Sequence, residues 1–271
     1  MSLANTFTAF FSGSPEIVCE APGRVNLIGE HVDYCDGFVM PFAISDRTHA
    51  AIKRRPDRKI RISSLQRPNE IFETSLDDLQ PSGEGNWERY ICGVIWAFGD
   101  RITNGLEILV DGHVALGAGL SSSAAIECAT VFALNELLGT NLSRLAMVEM
   151  AQKAEHEYAG VMCGIMDQFA SMFGKKDQVI LLDCKTMDYQ YYPLNLEAYD
   201  IVLLDTQIKH ALASSEYNTR RIECEQGIDL IKVKYSYAPG TENKDKDGNI
   251  LEFPDACDIY ALLEIRSGGT V

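Results

Sequence analysis

Three short runs hold most of the residues able to do chemistry. Gly117-Ala118-Gly119-Leu120-Ser121-Ser122-Ser123-Ala124-Ala125 sets two glycines and three hydroxyls ahead of an apolar stretch. Glycine lets backbone approach a ligand closely, and small residues opening a helix leave amide N–H groups and a positive dipole end aimed at one point. Such a point holds phosphate. The run has neither a Walker A lysine nor a GxGxxG opening, so it is a phosphate loop of another kind. Read alone it also fits a glycine turn with a serine cap; the lack of bulk over the helix mouth favours the ligand.

Gly23-Arg24-Val25-Asn26-Leu27-Ile28-Gly29-Glu30-His31-Val32-Asp33-Tyr34 packs two carboxylates, an imidazole, a guanidinium and an amide together, just before the turn Tyr34-Cys35-Asp36-Gly37. That mixture of donors and acceptors suits the many hydroxyls of a sugar. A solvated loop is the alternative, and the apolar flanks (Val25, Leu27, Ile28; Phe38, Val39, Met40) argue that the polar groups sit beside a core. In the third run, Glu155 to Phe169, Asp167 stands in an apolar, glycine-punctuated stretch, an expensive place for a charge without a partner. It serves either as a cap for the following turn or, with Arg24 nearby, as acceptor of a proton from a substrate hydroxyl.

The elements that must position these runs are legible in outline. Ile17–Glu20, Gly37–Met40, Thr48–Ile52, Ile60–Ile62 and 106–111 read as strands, and Trp87–Arg101 has apolar residues at helical spacing. An apolar helix is predicted over Ser122–Leu138, closed by Gly139, and a second from the cap Ser143 to about Tyr158. Val179–Leu182, Tyr189–Tyr192 and Ile201–Leu204 read as strands, followed by a helix over Ser215–Lys232. The order describes an α+β (mixed α/β) fold rather than regular βαβ alternation. After Tyr237 the polar, turn-rich run Pro239–Asn249 reads as a linker with an acidic segment behind it, dividing the chain into 1–200, 201–238 and 239–271.

Across its 271 residues the chain is 46% hydrophobic with a formal charge of −15, a globular composition whose field repels nucleic acid and anionic membranes. Eight scattered cysteines without a CxxC pair, no signal-like start and no long apolar run lead to an expectation of a reduced, cytoplasmic protein without a membrane span.

Taken in order, the three runs resemble the GHMP family of small-molecule kinases, and GRVNLIGEHVDY resembles its galactokinase branch. The similarity covers roughly residues 17 to 232, including Ser214–Arg221, which is similar to the family's SxYxxRR segment. The resemblance implies the ribosomal protein S5 domain 2-like fold for the N-terminal domain, and MgATP-dependent phosphorylation of the anomeric hydroxyl of D-galactose by a monomer. By motif position it implies Asp167 as base with Arg24 as its partner. Glu30, His31, Asp33, Tyr217 and the Gly164 backbone would take the sugar. Gly117 to Ser123 would wrap the ATP phosphates, Ser122 and Glu155 would hold Mg²⁺, and Trp87 would lie by the adenine. Kinases of N-acetylgalactosamine or another sugar, and a catalytically silent galactose and ATP sensor, share these motifs.

Departures from the pattern are Val32, Cys35 and Asp36 in place of Thr, Asn and Gly, Ala115 in place of Pro, and a C-terminal domain only partly present, without the family's third glycine-rich motif.

Overall fold

The computed structural model describes residues 2–81, 86–197, 201–204 and 213–234, the last segment with side chains for 218–230. Linker and tail from 239 onward lie outside the described residues. The first half runs α1 (Leu3–Phe10), β1 (Ile17–Asn26), β2 (Phe38–Val39), β3 (Pro41–Arg54), β4 (Lys59–Ser64), β5 (Arg67–Ser75), α2 (Glu88–Phe98) and β6 (Leu106–Gly112). The second half runs α3 (Ser122–Leu138), α4 (Arg144–Lys153), α5 (Met166–Phe173), β7 (Gln178–Asp183), β8 (Tyr189–Pro193) and α6 (Ala213–Lys234). Among the described residues, no helix is long and apolar enough to cross a membrane.

The main sheet has the order β1-β3-β6-β4-β5, antiparallel except for the β4–β6 pair, and β2-β7-β8 form a second sheet. Successive strand residues point to opposite faces, so both faces need apolar side chains where both are covered. Ala50 and Ile52 of β3, with Leu106, Ile108 and Val110 of β6, face the large core; Ala51 and Leu109 face Phe7 and Phe11 beneath α1. That continuous hydrophobicity made β6 readable.

Helix α3 is buried around its circumference, and its alanines let it lie close on β1 and β3. It ends as predicted, at Gly139 with φ 62°, whose N–H returns to the carbonyls of Asn135 and Glu136. Helix α4 starts at Ser143, whose hydroxyl accepts the Ala146 N–H at 3.1 Å.

The structure departs from the sequence expectations in four places. The helix after Ser143 leaves α geometry at Lys153 and closes with a π turn over Ala154–Tyr158, the Ala159 N–H reaching Ala154 O at 3.1 Å. Such a turn inserts a residue and re-aims its neighbours, here the buried Glu155. Ile201–Leu204 pairs with no strand among the described residues and is exposed, Leu204 at 87%. An apolar run becomes a strand only where a free edge accepts its backbone hydrogen bonds. Of the apolar flanks, Val25 and Val39 are buried, whereas Leu27, Ile28 and Phe38 point outward. Finally α1, β5 and α5 form although the hydrophobic pattern did not announce them.

Candidate active site

Arg24 sits at a bulge in β1 where pairing with β3 slips between Pro22 and Arg24. Gly23 lies within that slip, and a Cβ there would meet Leu120 O at 2.7 Å. With no side chain in the way, the glycine-rich loop presses onto the strand and the Arg24 N–H reaches Leu120 O at 3.1 Å. The Arg24 guanidinium donates through Nε to Asp167 Oδ1 at 2.7 Å and through Nη1 to the Gly119 carbonyl at 2.8 Å. Ser121 donates its hydroxyl to Asp167 Oδ2 at 2.6 Å. Arg24 of the second run and Ser121 of the glycine-rich loop therefore meet on the carboxylate of the third run. Asp167 lies in the first turn of α5 but caps nothing, so the capping reading does not hold.

Ser121 precedes α3 in the left-handed conformation (φ 57°, ψ 50°), makes no side-chain cap bond, and follows Gly117 and Gly119, both also at positive φ. A non-glycine residue held there is strained, and such strain gathers at ligand sites. Arg24, Glu30, His31, Asp33, Trp87, Glu155 and the loop residues Gly117 and Gly119 to Ser123 line a single cavity of about 530 Å³ with Asp167.

In the same cavity, Glu30 accepts from Asn26 Nδ2 at 2.8 Å and His31 Nδ1 lies 2.9 Å from the Tyr34 hydroxyl. Asp33 is buried against Gly164, where a Cβ would fall 2.0 Å from the carboxylate. Asp36 has φ 62°, a conformation glycine adopts without strain, which accounts physically for the glycine expected there.

Burial opposes the Arg24 charge, and Asp167 together with Glu30 and Asp33 more than offsets it, so the guanidinium pKa is raised. Burial first, and repulsion from Asp167 second, push the Asp33 carboxyl up to about 7 against the pull of Arg24. The folded state thus keeps a proton that the unfolded chain, with Asp33 near 3.8, has released. Between those values native protein binds more protons, so stability falls as pH rises through the window. Asp33→Asn removes that penalty and is expected to gain roughly 2–4 kcal/mol over the parent at pH 8 but little at pH 4. Urea melts at both pH values check this; equal gains at the two would refute it.

Behind the loop, Glu155 Oε2 accepts from Gln168 Nε2 at 2.6 Å and from Cys163 Sγ at 3.1 Å. Gln168 also bonds Glu127 Oε2 at 3.2 Å, while Glu127 Oε1 and Gln168 Oε1 are buried with no partner. Burial raises both glutamate pKa values, Glu127 well above the usual range because Glu155 also repels it. Two buried carboxyls, two orphaned oxygens and the adjacent serine hydroxyls form an all-oxygen donor set, the kind a hard divalent cation takes, so the residues present fit Mg²⁺.

Residues 89–175 match the model of the GHMP kinases N terminal domain, and residues 5–54 match the galactokinase galactose-binding signature. The galactokinase of Clostridium acetobutylicum is 46% identical over 237 residues, covering 86% of this chain and 61% of that protein. That of Thermotoga maritima is 45% identical over 218 residues, covering 79% and 60%. The crystal structure of Lactococcus lactis galactokinase complexed with galactose superposes with a TM-score of 0.78 at 36% identity, covering 88% of this chain and 62% of that one. The chain belongs to the galactokinase branch of the GHMP kinases. It spans about three fifths of the length of these relatives. Methanococcus jannaschii mevalonate kinase, at 18% identity and a TM-score of 0.55, shares the fold.

Within this galactokinase-family chain the structure gathers nearly all the residues singled out by motif. Ala118 is partly buried in the loop, and Gly164 is the floor under Asp33. Glu155 bonds Ser123, and Ser122 lines the same cavity. The Tyr217 side chain lies outside the described residues, although its helix α6 is anchored beside the site. There Asn218 bonds Met162 N and Gly160 O at 2.8 and 2.9 Å, and Arg221 bonds Met162 O at 3.1 Å. Sequence reasoning missed Glu127, Gln168, Ser121 as a partner of Asp167, and Asn218. Glu127 had a signal, a charge set among the apolar residues of the first half of α3.

Proposed function

We propose that the protein transfers the γ-phosphoryl group of ATP to the anomeric hydroxyl of D-galactose, giving galactose 1-phosphate and ADP. The observation that carries this reading is the junction at Asp167, which joins the sugar motif to the phosphate loop through Arg24 and Ser121. Glu30, His31 and Asp33, with Tyr217 and the Gly164 backbone, hold the sugar hydroxyls so that the 1-hydroxyl faces Asp167. That carboxylate takes the hydroxyl proton; the sugar oxygen bonds to the γ-phosphorus as the bond to the ADP oxygen breaks. Arg24 orients Asp167 and balances the charge spreading over the transferred group. The positive-φ glycines and the mouth of α3 present backbone amides to the ATP phosphates, and Trp87 with Tyr90 offers aromatic surface to the base. Mg²⁺, held by Glu155 and Ser122 with Glu127 behind them, would neutralise phosphate charge. Phosphoryl transfer asks for positioning and electrostatics more than covalent help, and these groups supply both. We place the protein in the cytoplasm as a monomer.

ADP release measured over a panel of sugars tests the reading. Turnover is expected with galactose and MgATP and to be weak with glucose, which differs in one hydroxyl's orientation. Faster turnover of N-acetylgalactosamine than of galactose overturns the substrate, and calorimetric galactose binding with no ADP release overturns the enzyme in favour of a sensor.

A further inference from the structure

On the face of the main sheet away from the cavity, β1, β3 and β6 carry a row of side chains that kinase chemistry does not use. Glu20, His49 and Asp111 stand in register across the three strands, Glu20 opposite His49 and His49 opposite Asp111. His113 follows two residues after Asp111. Alternation along the strands puts them on the side that α1 covers farther along, whereas Thr48 and Gly112, one residue away, line the active-site cavity.

We propose that His49, Asp111 and His113 form a binding site for a divalent transition metal of the zinc class. One ligand atom from each lies within 4.8 Å of the others. His113 Nε2 is 3.1 Å from Asp111 Oδ2, and the two imidazoles stand edge to face at 5.9 Å. His113 is 58% exposed and turns without disturbing the core, closing the set onto the coordination distance of about 2.0–2.2 Å. Two imidazoles and one carboxylate, with solvent as fourth ligand, suit Zn²⁺ and its neighbours rather than Mg²⁺.

The groups behind the ligands are those a metal site needs. His49 Nε2 is 2.9 Å from Glu20 Oε2, and its Nδ1 is buried with no partner. A carboxylate on one ring nitrogen fixes the tautomer and leaves the other nitrogen's lone pair to ligate. Gln66 Nε2 holds Asp111 Oδ1 at 2.9 Å, leaving Oδ2 turned to His113. Arg47, whose carbonyl accepts the His113 N–H at 2.9 Å, has its guanidinium engaged by Glu20 Oε1 at 2.9 Å. A metal here would clamp β3 to the start of the segment between β6 and the phosphate loop.

The test is titration of the full chain with Zn²⁺ against a chromogenic chelator, and with Co²⁺ followed by absorption. The parent is expected to bind one equivalent more than His113→Ala, to melt higher as metal is added, and to show a Co²⁺ spectrum for that equivalent without sulfur-to-metal charge transfer. Glu20→Gln, which keeps the ligands, is expected to weaken the same equivalent about tenfold. His113 is exposed enough that its loss leaves the fold intact, which a circular-dichroism melt without metal verifies. Equal stoichiometry in parent and His113→Ala overturns the proposal, as does a thiolate charge-transfer band on the equivalent that His113→Ala loses.

Discussion

Asp167→Asn is expected to reduce kcat for ADP formation by roughly 10²–10⁴, the usual contribution of a positioned general base, while galactose affinity changes by only a few fold. The amide has the shape of the carboxylate. Its oxygen still accepts from Arg24 Nε and its nitrogen can donate to Ser121 Oγ, so both contacts of Asp167 survive in a changed form. What is lost is the capacity to take a proton. Stopped-flow ADP release and calorimetry on the same preparation separate the two effects. Unaltered turnover would remove Asp167 from the mechanism, and a parallel collapse of sugar binding would make it a structural residue instead. Arg24 argues for a large loss of turnover, because it is aligned on Asp167 and on the Gly119 carbonyl of the loop at once.

The second large effect is steric. Gly164→Ala places a methyl group 2.0 Å from the Asp33 carboxylate, closer than any real contact, and Asp33 is too short and too buried to move aside without leaving its place. Overpacking of this kind costs roughly 1–3 kcal/mol of stability. Displacing Asp33 would also remove the hydrogen bond proposed for it to the sugar, so galactose affinity should fall by about 10- to 100-fold. Gly227→Ala in α6, where a Cβ would meet nothing within 4 Å, is the matching control and should leave binding unchanged. If both substitutions weaken galactose binding equally, the close packing of Asp33 on Gly164 does not matter to the sugar.

Much of the chain was legible because its signals are local. Gly139 ends α3 and Ser143 begins α4 through bonds to residues a few positions away, so one sequence window contains the whole interaction. The same is true of the three chemical runs: glycine and serine at a helix mouth, or donors and acceptors crowded into one motif, state their chemistry without a partner. The short α1, the exposed β5 and the run at Ile201–Leu204 were not readable, or were misread, because each depends on what lies beside it. Apolar surface over Ala51 and Leu109 gives α1 its seat, β4 gives β5 its hydrogen bonds, and no strand in the described residues offers Ile201–Leu204 an edge.

The sequence by itself determined the motifs, most of the regular elements and the family to which they point, since those rest on residue type and short spacing. Only the tertiary structure decided how Arg24 and Asp167, 143 positions apart, come to share a bond, and that Ser121 rather than a cap partner completes it. It also decided that Glu127 stands behind Glu155, and that His49 and Asp111 face each other across two strands with His113 beside them. Sheet register and helix packing bring together side chains that no local window contains, and in this chain they do so at the carboxylate where the proposed reaction takes place.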